Sequence, residues 1–214
     1  MKRIARWALV TGVLGAGVLT LGNGRDPWLW AYVMAFGAVG LYAMLTLDED
    51  LVRERFNPPS PGADRLSLRF VRLVALAQLV IAVADSRFGW SHVPDALRAT
   101  GLLGFVACFF VIARAAHANR FFSSVVRIQS DRGHHVVDTG PYATIRHPGY
   151  AGMLPLVQFS ALAMGSWFAF LAAFAYSALI LRRVLFEDRY LQQNLDGYAA
   201  YAGRVQYRLI PRVW

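Results

Sequence analysis

Apolar stretches long enough to cross a lipid bilayer recur along this chain of 214 residues, and they constrain its fold more than any other feature. The longest stretch runs from Tyr150 to Leu181 and holds 32 residues without a charge. About 20 apolar residues are enough to span a bilayer, and Gly165 and Ser166 lie at the middle of the stretch. We therefore expect two helices joined as a hairpin there, rather than one very long helix.

Four further apolar stretches precede this hairpin. They are Trp7–Leu21, Trp28–Leu47, Phe70–Ala84 and Ala99–Ile112. Charged residues make up only 16% of the chain, whereas an ordinary soluble domain carries about 25%. The sequence therefore predicts an all-α polytopic membrane protein with about six transmembrane segments, the C-terminal helical hairpin among them.

The distribution of basic residues orients these segments. The chain has 22 Lys and Arg against 13 Asp and Glu, a net charge of +9. When the sides of the membrane alternate along the chain, 19 basic residues fall on one side and only Arg25, Arg87 and Arg98 on the other. Basic loops stay on the cytoplasmic side, so both termini are expected there, in an inner or cytoplasmic membrane. The membrane accounts for the positive charge, and no nucleic-acid partner is expected.

Three polar segments fall on the inner side of this layout: Asp48–Leu68, Ala115–Pro148 and Arg182–Trp214. Together they predict a sizeable polar layer on a membrane base. We expect one integral membrane domain over residues 1–214, with membrane helices and loops in 1–114. The sequence carries no signal for an oligomeric state.

The densest group of polar residues lies between Asn119 and Gly152. Pro148 disfavours a helical conformation at His147, so we expect the next membrane helix to begin at Pro148. The free backbone N–H groups of its first turn, up to Tyr150, can meet an anionic ligand group. His134 and His135 have no partners with metal-ligand spacing, so no metal site is expected.

A second group of charged residues follows the hairpin. Arg183 and Glu187 are spaced i and i+4, which places them on one face of a helix. A simple salt bridge would account for that spacing. The pair nevertheless lies at the inner end of a membrane helix, where charges are costly and often functional. A paired cation and anion beside the start of a helix could hold a zwitterionic ligand.

These residues resemble a known family. The stretch Gly140–Gly152, which includes Arg-His-Pro-Gly-Tyr-Ala-Gly, followed by a hairpin and by Glu-Asp-Arg-Tyr-Leu from Glu187, is similar to the isoprenylcysteine carboxyl methyltransferase and phospholipid methyltransferase superfamily. The stretch Tyr198–Trp214 resembles the end of that family, so the resemblance covers roughly Asn119–Trp214. Asp188 is a departure, because the family usually has a second glutamate there.

The resemblance implies an integral membrane enzyme that binds S-adenosylmethionine (SAM) at its cytosolic face, with residues 115–214 as the catalytic region. By position, the expected cofactor contacts are Arg127 or Gln129, His134, Val137, Tyr142, His147, Pro148, Tyr150 and Glu187. Arg183 corresponds to the arginine that contacts substrate in the family and is the expected catalytic residue. The expected partners are a lipophilic substrate and membrane lipids.

The methyl acceptor can be a carboxylate, an amine or a thiol. A carboxylate is ionised at pH 7 and needs no base, whereas an amine must first lose a proton. The sequence shows no obvious unpaired base, which favours a carboxylate. The alternatives are a phospholipid N-methyltransferase, an NADPH-dependent sterol-type reductase, and a non-catalytic scaffold or transporter. Reductases of that type usually carry a glutamate where Met153 follows Gly152, and a transporter should place more polar groups in its spans.

Overall fold

The computed structural model describes residues 2–60 and 62–214, and within these ranges it contains α-helices and short 3-10 turns but no β-strand. The helices are α1 (Lys2–Leu21), α2 (Pro27–Thr46), α3 (Glu49–Phe56), α4 (Arg65–Phe88), α5 (Asp95–Ala118), α6 (Pro148–Met164), α7 (Trp167–Asn194) and α8 (Tyr198–Arg204). The 3-10 turns are Ser130–Arg132 and Gly140–Ala143. The all-α prediction is confirmed.

Five of these helices are long and apolar enough to cross a membrane: α1, α2, α4, α5 and α7. Helix α6 has 17 residues, which lies at the lower end of the length that spans a bilayer. Large apolar side chains such as Leu9, Met34, Leu103 and Leu171 point away from the protein and are more than half exposed. Such extensive exposed apolar surface is typical of helices that face lipid. The chain is therefore a polytopic membrane protein, as predicted.

The predicted hairpin is present, and it breaks where the sequence indicated. Helix α6 ends at Met164 and α7 begins at Trp167. Gly165 has φ +84°, a conformation that glycine adopts without strain. The Ser166 hydroxyl then accepts a hydrogen bond of 3.0 Å from the Ala169 N–H and so caps the start of α7.

The residues cluster into two compact units. Unit 1 comprises Met1–Thr46, Arg72–Phe109 and Pro155–Ser177. Its core is apolar and includes Val18, Leu29, Val83, Phe105, Ala161 and Met164. Two pairs of polar side chains inside it are bonded: Arg98 contacts Asp26 at 2.6 Å, and the Ser160 hydroxyl donates to the Tyr32 hydroxyl at 2.7 Å. Pairing of this kind is what an apolar interior requires of buried polar groups.

Unit 2 comprises Leu47–Val71, Phe110–Leu154 and Ala178–Trp214. It contains the three polar segments that the sequence analysis placed on the inner side. The expectation of one domain over residues 1–214, divided near residue 114, stays a prediction. Every residue of the expected site lies in unit 2.

Candidate functional site

Backbone hydrogen bonds to the C-terminal tail hold the residues just before α6 in place. Helix α6 begins at Pro148, as predicted. The N–H groups of Arg146 and His147 donate to the carbonyls of Tyr207 and Arg208, each at 2.9 Å. The C-terminal tail thus fixes the two residues that precede the helix.

Close packing against Phe122 explains why this helix start has a glycine at position 149. A Cβ atom built there would lie 2.4 Å from the ring of Phe122, closer than any real contact. The first turn of α6 therefore packs directly on the segment that carries Phe122, and any larger residue would force the two apart.

Asp188 on α7 is the most heavily bonded side chain of unit 2. It is fully buried. Arg146 donates to it through Nε and Nη2, at 2.8 and 2.9 Å, in the planar fork that suits a carboxylate. Arg208 donates through Nε at 2.9 Å. Two arginines thus neutralise one buried carboxylate.

Three more side chains donate to the same carboxylate. His147 Nε2 lies 3.2 Å from Asp188 Oδ1, and the Tyr198 hydroxyl donates to that oxygen at 3.2 Å. Gln192 Nε2 donates to Oδ2 at 3.1 Å. Because an ionised carboxylate only accepts, Nε2 of His147 carries a proton here. Asp188 therefore positions His147 and the α6 start. The sequence analysis treated Asp188 only as a departure from the family and missed this role.

A second chain of contacts joins α6 to α7. Arg183 Nε donates to the Tyr150 hydroxyl at 2.7 Å, and that hydroxyl donates to Glu187 Oε2 at 2.6 Å. Tyr150 thus connects the two residues whose spacing suggested a common helical face. Glu187 is only partly buried, whereas Arg183 is 3% exposed.

The guanidinium of Arg183 has two further contacts. Nη2 donates to the Ser124 carbonyl at 2.6 Å. Nη1 lies 3.3 Å from Asp64 Oδ1. All three nitrogens thus face groups of the protein itself. For a bidentate pair with a carboxylate ligand, Arg183 would have to exchange some of these contacts.

Arg127 is engaged in a network of its own. Its Nε and Nη2 donate to the two oxygens of Glu54 at 3.0 and 2.9 Å, and Nη1 donates to Asp131 at 2.8 Å. Burial raises the pKa of the Glu54 carboxyl, but the hydrogen bonds from Arg127 and Ser123 lower this pKa by more, so it lies below its ordinary value. Arg127 and Glu54 thus tie α3 to the segment after α5.

Gln129 is fully buried, and both the nitrogen and the oxygen of its side chain form hydrogen bonds. Its side-chain amide donates to the Phe121 carbonyl at 2.7 Å, and its side-chain oxygen accepts from Arg132 at 2.6 Å. Of the two alternatives for one cofactor contact, Arg127 keeps 11% of its side chain exposed, whereas Gln129 lies inside the fold.

His134 is neutral at pH 7. Burial lowers its pKa to about 4, and the charges of His135, Arg127 and Arg132 add to the effect. Its Nδ1 accepts a hydrogen bond of 3.2 Å from the Gln129 N–H. Nε2 therefore carries the proton and can donate to a ligand.

Tyr142 is buried, and its carbonyl accepts a hydrogen bond of 2.7 Å from the Tyr201 hydroxyl. Burial raises the pKa of the Tyr142 hydroxyl above its ordinary range, so it stays protonated. Val137 lies elsewhere, in an open cleft of about 420 Å³. The other residues that line it are His117, Ala118, Arg120, His135, Val136, Asp138 and Thr139. Small-molecule sites have volumes of about 300–1,000 Å³.

The structure thus brings Tyr150, Glu187 and Arg183 into one connected group beside the α6 start, with His147 and Pro148 next to it. Of the other expected contacts, Arg127, Gln129 and His134 follow α5, and Val137 lines the cleft. Tyr142 lies in a 3-10 turn, where the charge of Glu187 adds to the effect of burial in raising the pKa of its hydroxyl. Among residues 2–60 and 62–214, no three His, Cys, Asp or Glu side chains come together as a metal site would require.

Comparison with known protein families finds one that matches part of the chain. Residues 100–193 match the isoprenylcysteine carboxyl methyltransferase (ICMT) family. This part of the chain is therefore similar to the ICMT family of membrane methyltransferases, and the resemblance drawn from the sequence is confirmed. The match covers rather less than half of the chain and includes α6 and nearly all of α7. No curated protein gives a significant match.

Proposed function

We propose that this protein transfers the methyl group of SAM to a lipophilic acceptor at the cytosolic face of the membrane. The observation that carries the proposal is the partly exposed carboxylate of Glu187, held by the Tyr150 hydroxyl beside the first turn of α6. The family match supports methyl transfer as the reaction. The membrane-spanning helices support a lipophilic acceptor.

The charges at this site fit the zwitterionic amino-acid end of SAM. Glu187 can accept hydrogen bonds from an ammonium or from ribose hydroxyls. The N–H groups of the first turn of α6 have no partner within the helix and favour a carboxylate. We propose that His134, as a neutral donor, and the cleft that contains Val137 hold further parts of the ligand.

When bound, SAM supplies a methyl group on a positively charged sulfur. The task of the protein is to align this methyl with the acceptor and to exclude water. Glu187 holds the donor side, and Arg183 lies one helical turn away on the acceptor side. Tyr150 contacts both and fixes their separation. Asp188 and its five donors keep the α6 start in place beside them.

The family description and the sequence analysis both favour a carboxylate as the acceptor. In that case Arg183 would pair with it after releasing Asp64 or Ser124. The test is transfer of radiolabelled methyl from SAM into a lipid extract by the purified protein, followed by base treatment. A methyl ester releases volatile methanol, whereas an N-methyl group does not. Absence of any transfer would contradict the proposal.

Titration with SAM and with NADPH distinguishes the proposed methyltransferase from the competing sterol-type reductase. Wild-type protein should bind SAM, with S-adenosylhomocysteine (SAH) as a competitor, and should not bind NADPH. Tight NADPH binding without SAM binding would favour the reductase. Arg127 and Arg132, two cations after α5, already bond to Glu54, Asp131 and Gln129.

We also propose that both termini, Asp48–Leu68 and Ala115–Pro148 face the cytoplasm of an inner or cytoplasmic membrane. The distribution of 19 basic residues against three supports this orientation. A reporter fused after Trp214 should report a cytoplasmic location. A reporter that reads from the opposite side would reject both the orientation and a cytosolic SAM site.

A further inference from the structure

Asp64 is a buried carboxylate for which the proposed chemistry has so far given no role. It immediately precedes α4, and its side chain is 6% exposed. The Ala63 N–H donates to the Val126 carbonyl at 2.8 Å, which holds this stretch of chain against the segment that carries Ser124. At Gly62, with φ +72°, a Cβ atom would lie 2.7 Å from Val125. The close approach of the two segments therefore depends on a glycine.

Unlike Asp188, Asp64 has few polar partners. Neither of its buried carboxyl oxygens makes a well-formed hydrogen bond, and the nearby Ser67 hydroxyl partly opposes the rise in pKa that burial causes. In the described part of the chain, the cation that contacts it is Arg183, whose Nη1 lies 3.3 Å away and has no hydrogen-bond partner of its own. The Ser124 hydroxyl is likewise buried without a partner. Buried polar groups are nearly always bonded, so several unbonded atoms around one arginine indicate a place for a polar ligand group.

The hydrogen-bonding capacity of these atoms indicates which ligand group fits. Asp64 offers two acceptor oxygens and, when ionised, no donor. The serine hydroxyls can accept as well as donate. A carboxylate ligand would face the Asp64 carboxylate, whereas an amine or ammonium group would supply the missing donors.

Charges of both signs surround Asp64. The groups that act on it are Arg183 and Arg182, which are positive, and Glu187, which is negative. Arg183 lies between two carboxylates, Asp64 at 3.3 Å and Glu187 through Tyr150. The two acids and the two arginines together have no net charge. Burial raises the pKa of Asp64, with Glu187 adding to the effect and the two arginines opposing it, which suits a group that receives a proton.

We propose that Asp64 binds the methyl acceptor, that the acceptor presents an amine, and that Asp64 takes a proton from it. In that step an N–H bond of the ammonium breaks, its electron pair stays on nitrogen, and the proton passes to a carboxyl oxygen of Asp64. Arg183 is then a positioning residue that holds Asp64 and Tyr150. The sequence analysis favoured a carboxylate because it found no obvious unpaired base, whereas Asp64 is a base whose ion pair with Arg183 leaves its oxygens without well-formed hydrogen bonds. This inference rests on the proposed methyl transfer but concerns only its acceptor side.

The test is calorimetric titration of dodecylamine, and separately of dodecanoate, into the protein in phosphatidylcholine nanodiscs, with and without SAH. Wild-type protein should bind the amine. Asp64→Asn should weaken this binding at least about tenfold, because a charge-assisted hydrogen bond is lost. The same variant should keep its SAH affinity within about twofold, since the two sites make separate contacts. Asp64→Glu should restore part of the amine binding. Asp50→Asn, the same change at an exposed position, is the matched control and should bind the amine as the wild type does.

Two results would overturn the inference. One is an amine affinity that is absent, or that is the same in the wild type and in Asp64→Asn. The other is dodecanoate binding that Asp64→Asn strengthens, because Asp64 would then be competing with a carboxylate for Arg183. The titration without SAH tests amine binding independently of the proposed methyl transfer. Loss of SAH binding in the wild type would contradict methyl transfer and leave the amine result standing by itself.

Discussion

Asp188 and Asp64 are two buried carboxylates in the same unit, and both contact an arginine. Asp188 accepts hydrogen bonds from five side chains, on α7, α8, the C-terminal tail and the residues before α6. Asp64 accepts no well-formed hydrogen bond and has one ion pair at 3.3 Å. A fully bonded carboxylate holds a structure together, whereas an unbonded one in a folded interior is available to a ligand. The difference distinguishes Asp188, which supports the site, from Asp64, which we propose binds the acceptor.

The largest effect should come from removing Asp188. Asp188→Ala would leave Arg146 buried without its carboxylate, and Arg208 would lose its partner as well. Breaking a buried pair in this way costs about 3–5 kcal/mol of unfolding free energy. Thermal unfolding in detergent, followed by circular dichroism, measures it.

Asp64→Asn is the matched comparison. It loses the ion pair with Arg183 at 3.3 Å but no well-formed hydrogen bond, and Arg183 keeps its contact to Tyr150, so we expect a smaller cost than for Asp188→Ala. If Asp64→Asn destabilises the protein as much as Asp188→Ala does, the two carboxylates do not differ in the way described.

The next largest effect concerns turnover. Arg183→Ala removes the contacts to both Tyr150 and Asp64, so it should lower methyl transfer by about 100-fold, the scale of a misplaced reacting group. SAM affinity should stay close to that of the wild type, because Glu187 is unchanged. Arg183→Lys should restore only part of the rate, since lysine lacks the planar fork. Turnover and SAM affinity are measured on the same preparations.

Arg183→Ala also has an outcome that would reject this division of roles. If the variant loses SAM binding as fully as Glu187→Ala does, the two residues form one cofactor-binding or structural unit. If it turns over normally, the acceptor is held elsewhere.

The smallest effect is a difference in pH dependence between Asp64 and Glu54. The pKa of Asp64 is raised by folding, so its contribution to stability is complete below the unfolded pKa of about 3.9 and is lost as the pH rises through the folded value. The pKa of Glu54 is lowered by folding, so its contribution is present above the unfolded pKa of about 4.3 and is lost as the pH falls through the folded value.

Unfolding measured across pH should therefore respond to the two substitutions in opposite ways. Asp64→Asn should reduce the loss of stability that occurs when the pH is raised above the unfolded pKa of Asp64. Glu54→Gln should reduce the loss of stability on acidification. A pH profile that Asp64→Asn leaves unaltered would show that folding does not shift the pKa of Asp64.

Much of the fold could be predicted from the sequence because it depends on local patterns. Apolar length predicted the membrane helices, and the Gly165-Ser166 break and the Pro148 start follow from backbone preferences. The residues at the α6 start and on α7 were found because they lie within one short motif and one helical turn.

The roles of Asp188 and Asp64 could not be predicted in the same way. Asp188 depends on Arg146 and Arg208, and Asp64 on Arg183, and each pair is brought together only by folding. Sequence spacing indicates which residues share a helical face, but not how many hydrogen bonds a buried carboxylate receives from other segments.

The most direct test of methyl-donor binding is calorimetric titration of SAM into the wild type, Glu187→Ala and the Asp50→Asn control. The account predicts that the wild type binds SAM, that SAH competes, and that the control matches the wild type. Glu187→Ala should bind at least about tenfold more weakly, since losing a charge-assisted hydrogen bond costs about 1.5–3 kcal/mol. A wild type that does not bind SAM, or a Glu187→Ala variant with unchanged affinity, would contradict it.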